Sequence, residues 1–291
     1  MRFLVLGATG MAGHTVSLYL KERGHTVLAF SRKPSPFFEG ILGDVTDFDK
    51  LKETIQEGRF DAVINCVGIL NQEAEKNKPL AVLINSYLPH FLSSVTQEMD
   101  TFLIHLSTDC VFSGQKGKYK EDSFPDGSTF YARSKALGEI VNNKDMTFRT
   151  SIVGPDMKIQ GIGLFNWFMK QEGSIKGFTK AIWTGVTTLT LAKAMEKAAR
   201  THLTGLYNLV NNQTISKFEL LQLFNRHFRN SKVAIHPEGS VNIDKSLVNT
   251  RNDFPFEVPS YETMILEMKE WVYSHKKLYP HYFDETRSLG R

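Results

Sequence analysis

The chain has 291 residues, enough for one large domain or for a core domain with a smaller lobe. Hydrophobic residues make up 41% and charged residues 23%, and the net charge of +4 is small and scattered, so nucleic-acid binding has no compositional support. Every apolar run falls short of a membrane span (Asn85 and Pro89 interrupt the best one), and the opening Met1-Arg2-Phe3-Leu4-Val5-Leu6 run ends at a glycine loop instead of a signal-peptide cleavage site; the expectation is a cytoplasmic protein with no membrane partner.

Strand-like runs alternate with helical patterns through the first half. A strand at 3–6 precedes a helix at 10–23, which Gly24 can end in a left-handed conformation. A strand at 26–30 follows, then a loop containing Pro34 and Pro36, a helix at 47–57 and a buried strand at 62–65. Next come a long helix at 79–98, a strand at 102–107, a helix at 130–142 and a strand at 147–153. This alternation implies right-handed crossovers and an α/β fold with a doubly wound parallel sheet, the Rossmann type. After Gly154-Pro155 the pattern turns irregular. Helices are expected at 164–171, 187–199, 217–228 and 261–275, with strands at 205–210, which could rejoin the sheet, and near 233–236. This half predicts a smaller C-terminal α/β lobe closing over the strand ends. The 2 cysteines, Cys66 and Cys110, stand in strand-like contexts and predict buried free thiols. His275 and His281, across Pro280, lack a ligand spacing, so no metal is expected. The aromatic run 279–283 fits a packed tail or a subunit contact, which leaves room for a homodimer.

Gly7-Ala8-Thr9-Gly10-Met11-Ala12-Gly13 links the first strand to the first helix. Glycines there let the backbone approach a pyrophosphate, and the free N–H groups at the helix start, from Thr9 to Gly13, favour an anion. The spacing is G-x-x-G-x-x-G, a variant of the commoner dinucleotide fingerprint. An acid at the end of the second strand would suit the ribose hydroxyl of NADH. Ser31-Arg32-Lys33 has none, and its cations suit the 2′-phosphate of NADPH; NADH stays possible, since the pair also fits a solvated loop. Asp44, with Val45, either contacts the adenine or caps an acidic turn.

Tyr131 and Lys135 are four apart, so they share one face of a helix. A phenol ionises near pH 10, and an ammonium beside it lowers that value; reaching 7 needs about 4 kcal/mol. A phenol tuned in this way can protonate a carbonyl oxygen while hydride reaches the carbon, with the Thr108 hydroxyl holding the same oxygen. The alternative is a core aromatic above a surface lysine.

Gly7–Gly13, Ser107-Thr108-Asp109 and Tyr131-x-x-x-Lys135 together resemble the extended short-chain dehydrogenase/reductase superfamily. The longer stretches Leu106-Ser107-Thr108-Asp109-Cys110-Val111-Phe112-Ser113-Gly114, Tyr119 with Glu121, and Tyr131-Ala132-Arg133-Ser134-Lys135-Ala136-Leu137-Gly138-Glu139 resemble the dTDP-4-dehydrorhamnose reductase family. The resemblance implies NAD(P)H-dependent reduction of the C4 keto group of a nucleotide-linked 4-keto-6-deoxy sugar, for polysaccharide precursors. It makes Thr108, Tyr131 and Lys135 catalytic and places Ser107 and Cys66-Val67-Gly68 along the cofactor, with Asn85 in the helix behind. Asp109, Val111 and Trp183 would face the sugar. Residues 1–155 would then hold NADP, with 187–212 returning to that domain, and 156–186 with 213–291 would form the substrate lobe.

The chain departs from the family at Cys110, where a tyrosine is common, and at Ile182-Trp183-Thr184-Gly185-Val186-Thr187-Thr188, where a Gly-x-Pro-Thr segment is usual. The second departure is closer to reductases of UDP-linked 2-acetamido-4-keto-6-deoxy sugars, with Trp183 shaping the pocket or simply packing the lobe. The rivals are a nucleotide-sugar 4-epimerase and a non-catalytic NADP-binding regulatory subunit. A 4,6-dehydratase would need a carboxylate where Cys110 stands.

Overall fold

Alternate residues of the first strand feed two separate cores: Phe3 and Val5 point into one cluster, Leu4 and Leu6 into another, and all four are fully buried. A strand buried on both faces needs helices on both faces of its sheet. The computed structural model describes residues 1–34 and 37–283; Pro36 of the expected loop and the end of the expected lobe, 284–291, lie outside the described residues.

The chain opens with β1 (Arg2–Leu6), α1 (Met11–Glu22), β2 (Thr26–Ser31), β3 (Gly40–Leu42), α2 (Phe48–Gly58) and β4 (Ala62–Asn65). Short helices α3 (Asn71–Lys76) and α4 (Lys78–Ala81) lead through a π-helical turn, Val82–Tyr87, into α5 (Leu88–Thr96). Then come β5 (Phe102–Ser107), a 3₁₀ turn at Asp109–Val111, α6 (Phe130–Leu137), β6 (Met146–Arg149), β7 (Ile152–Val153) and α7 (Leu164–Phe168). The remainder is β8 (Ser174–Phe178), β9 (Ala181–Trp183), β10 (Val186–Thr187), α8 (Thr188–Thr201), β11 (Gly205–Asn208), β12 (Ile215–Ser216), α9 (Lys217–Phe228), β13 (Ala234–Glu238), β14 (Ile243–Asp244) and α10 (Tyr261–Ser274), ending in 3₁₀ turns at Lys276–Leu278 and Pro280–Tyr282.

Seven strands form one sheet in the order β11-β6-β5-β4-β1-β2-β3, every neighbouring pair parallel. This is the doubly wound parallel sheet that the alternation implies. Leu51 and Ile55 of α2 pack with Leu88 and Leu92 of α5 on the Leu4 side; Val16 and Leu20 of α1 pack with Leu191 and Met195 of α8 on the other. Asp47, Thr187 and Ser216 start α2, α8 and α9 by accepting from Lys50, Thr190 and Glu219 amides at 3.1–3.2 Å. Between α1 and α8 lies the carboxylate of Glu196. Burial pushes its pKa up, but hydrogen bonds from His25, Tyr19 and Arg200 and the charge of Arg23 outweigh burial and hold it at about 2.

β11 rejoins the sheet beside β6. Smaller strands of the second half pair among themselves, as β12-β9-β14 and β13-β8. One buried cluster runs from Phe3 through Phe165 and Phe224 to Tyr279, so the core continues under the second half without a break.

Three expected elements differ. The helix at 79–98 is interrupted by the π turn, and the helix at 130–142 ends at Leu137. The strand at 147–153 breaks after Arg149; Ile152 and Val153 pair with Val186 and Thr187 outside the main sheet. Among the described residues no helix is long and apolar enough to cross a membrane.

Candidate active site

β1 and β4 are neighbours, yet the chain reaches β4 only after building β2 and β3 on the far side. Their carboxyl ends therefore part around a crevice. Gly7, at φ +79°, turns the chain out of β1; a Cβ on it would lie 3.1 Å from Val67 Cγ2 and 3.2 Å from the Cys66 carbonyl carbon. A Cβ on Gly13 would lie 2.2 Å from the Gly7 oxygen, so only glycine lets α1 come this close to the turn. Gly10 caps α1 without a side chain, and the first-turn amides of Met11, Ala12 and Gly13 have no intrahelical acceptor.

A cleft of about 390 Å³ opens beside this turn. Of the residues expected at the cofactor, Gly7, Thr9, Ser31, Arg32, Asp44, Val45 and Val67 line it. Lys33 does not; it is exposed and its carbonyl accepts from Ser31 Oγ at 2.7 Å. Asp44 also caps its turn, its Oδ1 accepting from the Thr46 amide at 3.0 Å and the Thr46 hydroxyl at 2.9 Å. The amide bond, ahead of the hydroxyl and the Arg32 charge, holds this carboxyl below its ordinary range. Ile69, Leu80 and Ile84 supply an apolar wall that no motif announces. Its only trace in the sequence is a scatter of aliphatic residues after β4.

Beyond the crevice, β5 ends at Ser107 and Thr108 begins the 3₁₀ turn. Thr108 Oγ1 accepts from the Cys110 amide at 3.1 Å and donates to Asp109 Oδ1 at 3.2 Å. Thr129 caps α6, accepting from the Ala132 amide at 3.1 Å. This start sets Tyr131 and Lys135 one turn apart on the buried face, 8% and 4% exposed. Thr108 acts on the Tyr131 phenol, so two of the three expected catalytic groups stand together. Burial pushes the phenol well above its ordinary value, Cys110 and Asp109 add to that, and Thr108 opposes it. Lys135 is not among the groups acting on the phenol, contrary to the expectation of a phenol lowered by the ammonium. The lysine itself is brought down to about 8 by burial, against the pull of Glu139 and Cys66. Its Nζ lies 2.8 Å from the Leu106 oxygen and 3.2 Å from His105 Nε2.

Several expected site residues hold the scaffold instead. Asn85 is fully buried: its Oδ1 accepts from the Ile69 amide at 2.8 Å, and its Nδ2 donates to the Ile69 oxygen at 2.9 Å and Ser134 Oγ at 3.0 Å. It thus ties the loop after β4, with Gly68, to α6. Ser107 donates to Glu139 at 2.7 Å, and Glu139 takes both arms of buried Arg149 at 2.8 and 2.6 Å. The Val111 side chain is fully buried among Phe112, Tyr119 and Leu247, which removes it from any substrate. Trp183 is 6% exposed, donates from Nε1 to Ser151 Oγ at 2.8 Å and packs on Tyr261, so it fills the lobe interior and shapes no open pocket. Met11 packs against Gly163, linking the glycine turn to the second half.

Cys66 and Cys110 are free, as expected, but stand just past strand ends and are only half-buried as residues. Burial pushes their thiols up to about 12 and about 11. Asp109 is 6% exposed; burial raises its carboxyl, and Lys245 and Lys217 pull the other way. Those two lysines, with Asn65 and His105 behind the triad, are site residues that no motif marks. Asn65 and His105 do leave a signal, as polar residues inside otherwise apolar strands.

Comparison with known proteins agrees with this geometry. A probable low-salt glycan biosynthesis reductase, Agl14, from Haloferax volcanii is 35% identical over 143 residues, 48% of this chain and 48% of that protein. The chain thus spans about half the length of that curated relative. The Xenopus laevis methionine adenosyltransferase 2 subunit beta is 28% identical over 236 residues, 75% of this chain and 70% of that one. The crystal structure of a Bacillus anthracis dTDP-4-dehydrorhamnose reductase in complex with NADP superposes with a TM-score of 0.77 at 25% identity, covering 92% of this chain and 98% of that one. The profile of the family described as RmlD substrate binding domain matches residues 1–252, and the chain belongs to that family.

Proposed function

We propose that this protein is an NADPH-dependent reductase of the C4 carbonyl of a nucleotide-linked 4-keto-6-deoxy sugar, used for a polysaccharide precursor. The observation that carries this reading is Thr108 beside the Tyr131 phenol, with buried Lys135 one helical turn on, at the carboxyl edge of the sheet. The names of the Haloferax and Bacillus relatives support it.

The residues present fit the cofactor. Gly7 and Gly13 form a cradle that a Cβ would fill, and Arg32 faces the cleft with no acid at the end of β2. Gly7, Thr9 and the first-turn amides of α1 would hold the pyrophosphate, and Ser31 and Arg32 the 2′-phosphate. When bound, NADPH supplies the hydride. Tyr131 protonates the C4 oxygen. Its raised pKa keeps the phenol protonated and ready as the acid in the reductive direction. Thr108 shares that oxygen through a second hydrogen bond, and Lys135 holds the ribose. Asp109, with Lys245 and Lys217 acting on it, borders the space for the sugar.

Residues 1–155 with 187–212 form the cofactor half of this reading, and 156–186 with 213–291 the substrate half. The place of work is the cytoplasm; homodimerisation is compatible with it. With Trp183 packed inside the lobe, the argument for a UDP-linked 2-acetamido sugar loses its residue, so the nucleotide is left to the assay. The relative named as an adenosyltransferase subunit favours a second reading, a cofactor-binding subunit. The intact Thr108–Tyr131 pair weighs against it.

The test is NADPH oxidation followed by absorbance, with a dTDP-4-keto-6-deoxyhexose and a UDP-2-acetamido-4-keto-6-deoxyhexose supplied separately. Turnover of either establishes the reductase and names the nucleotide. Tyr131→Phe should lower kcat by about 10²–10⁴-fold with NADPH affinity retained. Cofactor binding without NADPH oxidation by either sugar would sink the reductase in favour of an epimerase or the subunit.

A further inference from the structure

Asn65 and His105 face each other across β4 and β5, in register and fully buried. The amide of Asn65 has a fixed orientation, because its Oδ1 accepts from the Val67 backbone N–H at 3.0 Å. Its Nδ2 must then donate to His105 Nδ1, 3.2 Å away. The ring is neutral: burial drives its pKa well below the ordinary value. A neutral imidazole that accepts at Nδ1 carries its proton at Nε2. That N–H points at Lys135 Nζ, 3.2 Å away. An ammonium has three hydrogens and no lone pair, so it cannot receive this hydrogen; an amine can.

We propose that His105, locked by Asn65 as the Nε2–H tautomer, is a positioning residue that favours the free amine of Lys135 in the cofactor-free protein, and that in alkaline solution Lys135 gains a proton from solvent as the cofactor binds. Protonation removes the lone pair that holds Nζ against the ring and frees the side chain to turn towards the ribose. No bond between heavy atoms changes. The value of about 8 for Lys135 lies on the side this contact favours and makes the amine the main form above pH 8. The other titratable groups acting on Lys135 are Cys66, after β4, and Glu139, just past the end of its helix and paired with Arg149. Because Val67 lines the cleft, the network also reaches the cofactor wall. The proton uptake rests on the cofactor reading above; the tautomer and the amine do not.

The experiment is NMR on the cofactor-free protein with nitrogen-15 histidine and carbon-13 lysine, Lys135→Arg identifying the lysine signal. The expected result is a His105 ring protonated at Nε2 and a Lys135 midpoint near 8. A ring protonated at Nδ1, or a lysine still charged at pH 10, would overturn the proposal in the unmodified protein. Asn65→Asp adds a second reading. Its second oxygen would accept from Nδ1–H, turn the lone pair of Nε2 to Lys135 and raise the proton affinity of the lysine tenfold or more. A raised midpoint with the tautomer unchanged would mean that added charge acts alone, against the coupling. Calorimetry with NADP⁺ at pH 9, in buffers of different ionisation enthalpy, should give uptake of about one proton per site, and less in Asn65→Asp. Binding with no uptake defeats the cofactor half of the proposal. No NADP⁺ binding at all defeats the cofactor reading, while the NMR result still decides the tautomer.

Discussion

Arg32 shows how far a single residue can be read in advance. Its guanidinium is exposed, borders the cleft and acts on Asp44, the other charged side chain lining the cleft. A 2′-phosphate placed there gains a charge-assisted bond that a ribose hydroxyl does not. Arg32→Ala should therefore weaken NADPH at least tenfold and NADH hardly at all, measured by quenching of protein fluorescence. Equal losses would mean that Arg32 supports the loop and does not read the phosphate. Arg32, Gly7, Thr108 and Tyr131 were legible because each carries a chemical need tied to a fixed place after a strand or on a helix face. For Val111, Ser107 and Trp183 the side-chain direction was not legible, because a motif does not say which way a side chain turns. Val111 sits among site residues along the chain, yet points into an apolar cluster, and Ser107 turns back to Glu139.

At the scale of elements, two helices that the pattern joins or lengthens are cut by one contact. Pro89 has no N–H to give to the Asn85 carbonyl, and the turn before it opens into a π-helix. Gly138 packs against that same carbonyl: a Cβ on it would lie 1.9 Å from the Asn85 oxygen. α6 therefore stops at Leu137, although the residues beyond it look helical. The sequence carries periodicity, and periodicity continues through Val141; close approach of two backbones leaves no period to read. Gly138→Ala must push α6 away from the π turn. The expected cost is about 1–3 kcal/mol, read as a lower midpoint in urea. Because Asn85 also holds Ser134 between Tyr131 and Lys135, the proposed reading expects kcat to fall with the NADPH Kd little changed. A stable, fully active variant would show that the contact relaxes freely and does not set the end of the helix.

Across the whole molecule, residues 253–283, beyond the family match, pack against α1 in the core shared with the main sheet. Tyr279 is fully buried and its hydroxyl meets His14 Nε2 of α1 at 2.8 Å while accepting from Trp271 Nε1 at 3.2 Å. His14 Nδ1 lies 2.9 Å from the Gly10 oxygen, so Nδ1 donates there and Nε2 receives the phenol hydrogen. Tyr282 holds the other side, donating to Asn166 Oδ1 and accepting from the Asp156 amide, both at 2.9 Å. The helix that begins at the glycine turn is thus clasped by the segment around Tyr279, and the clasp requires a neutral His14. Burial, against the Gly10 bond and the Asp156 charge, keeps that ring below its ordinary 6.5. A lowered histidine pKa contributes stability in full above 6.5 and loses it as acid protonates the unfolded chain first. Tyr279→Phe removes the phenol hydrogen that favours the neutral ring. The variant should lose about 1–3 kcal/mol at pH 7.5 in urea unfolding. Its His14 then protonates more readily in the folded chain, so acid costs the variant less, and the gap to the unmodified protein should narrow between pH 6.5 and 5. A gap that stays constant over that range would mean that Tyr279 contributes packing alone and that the clasp does not depend on the charge of His14.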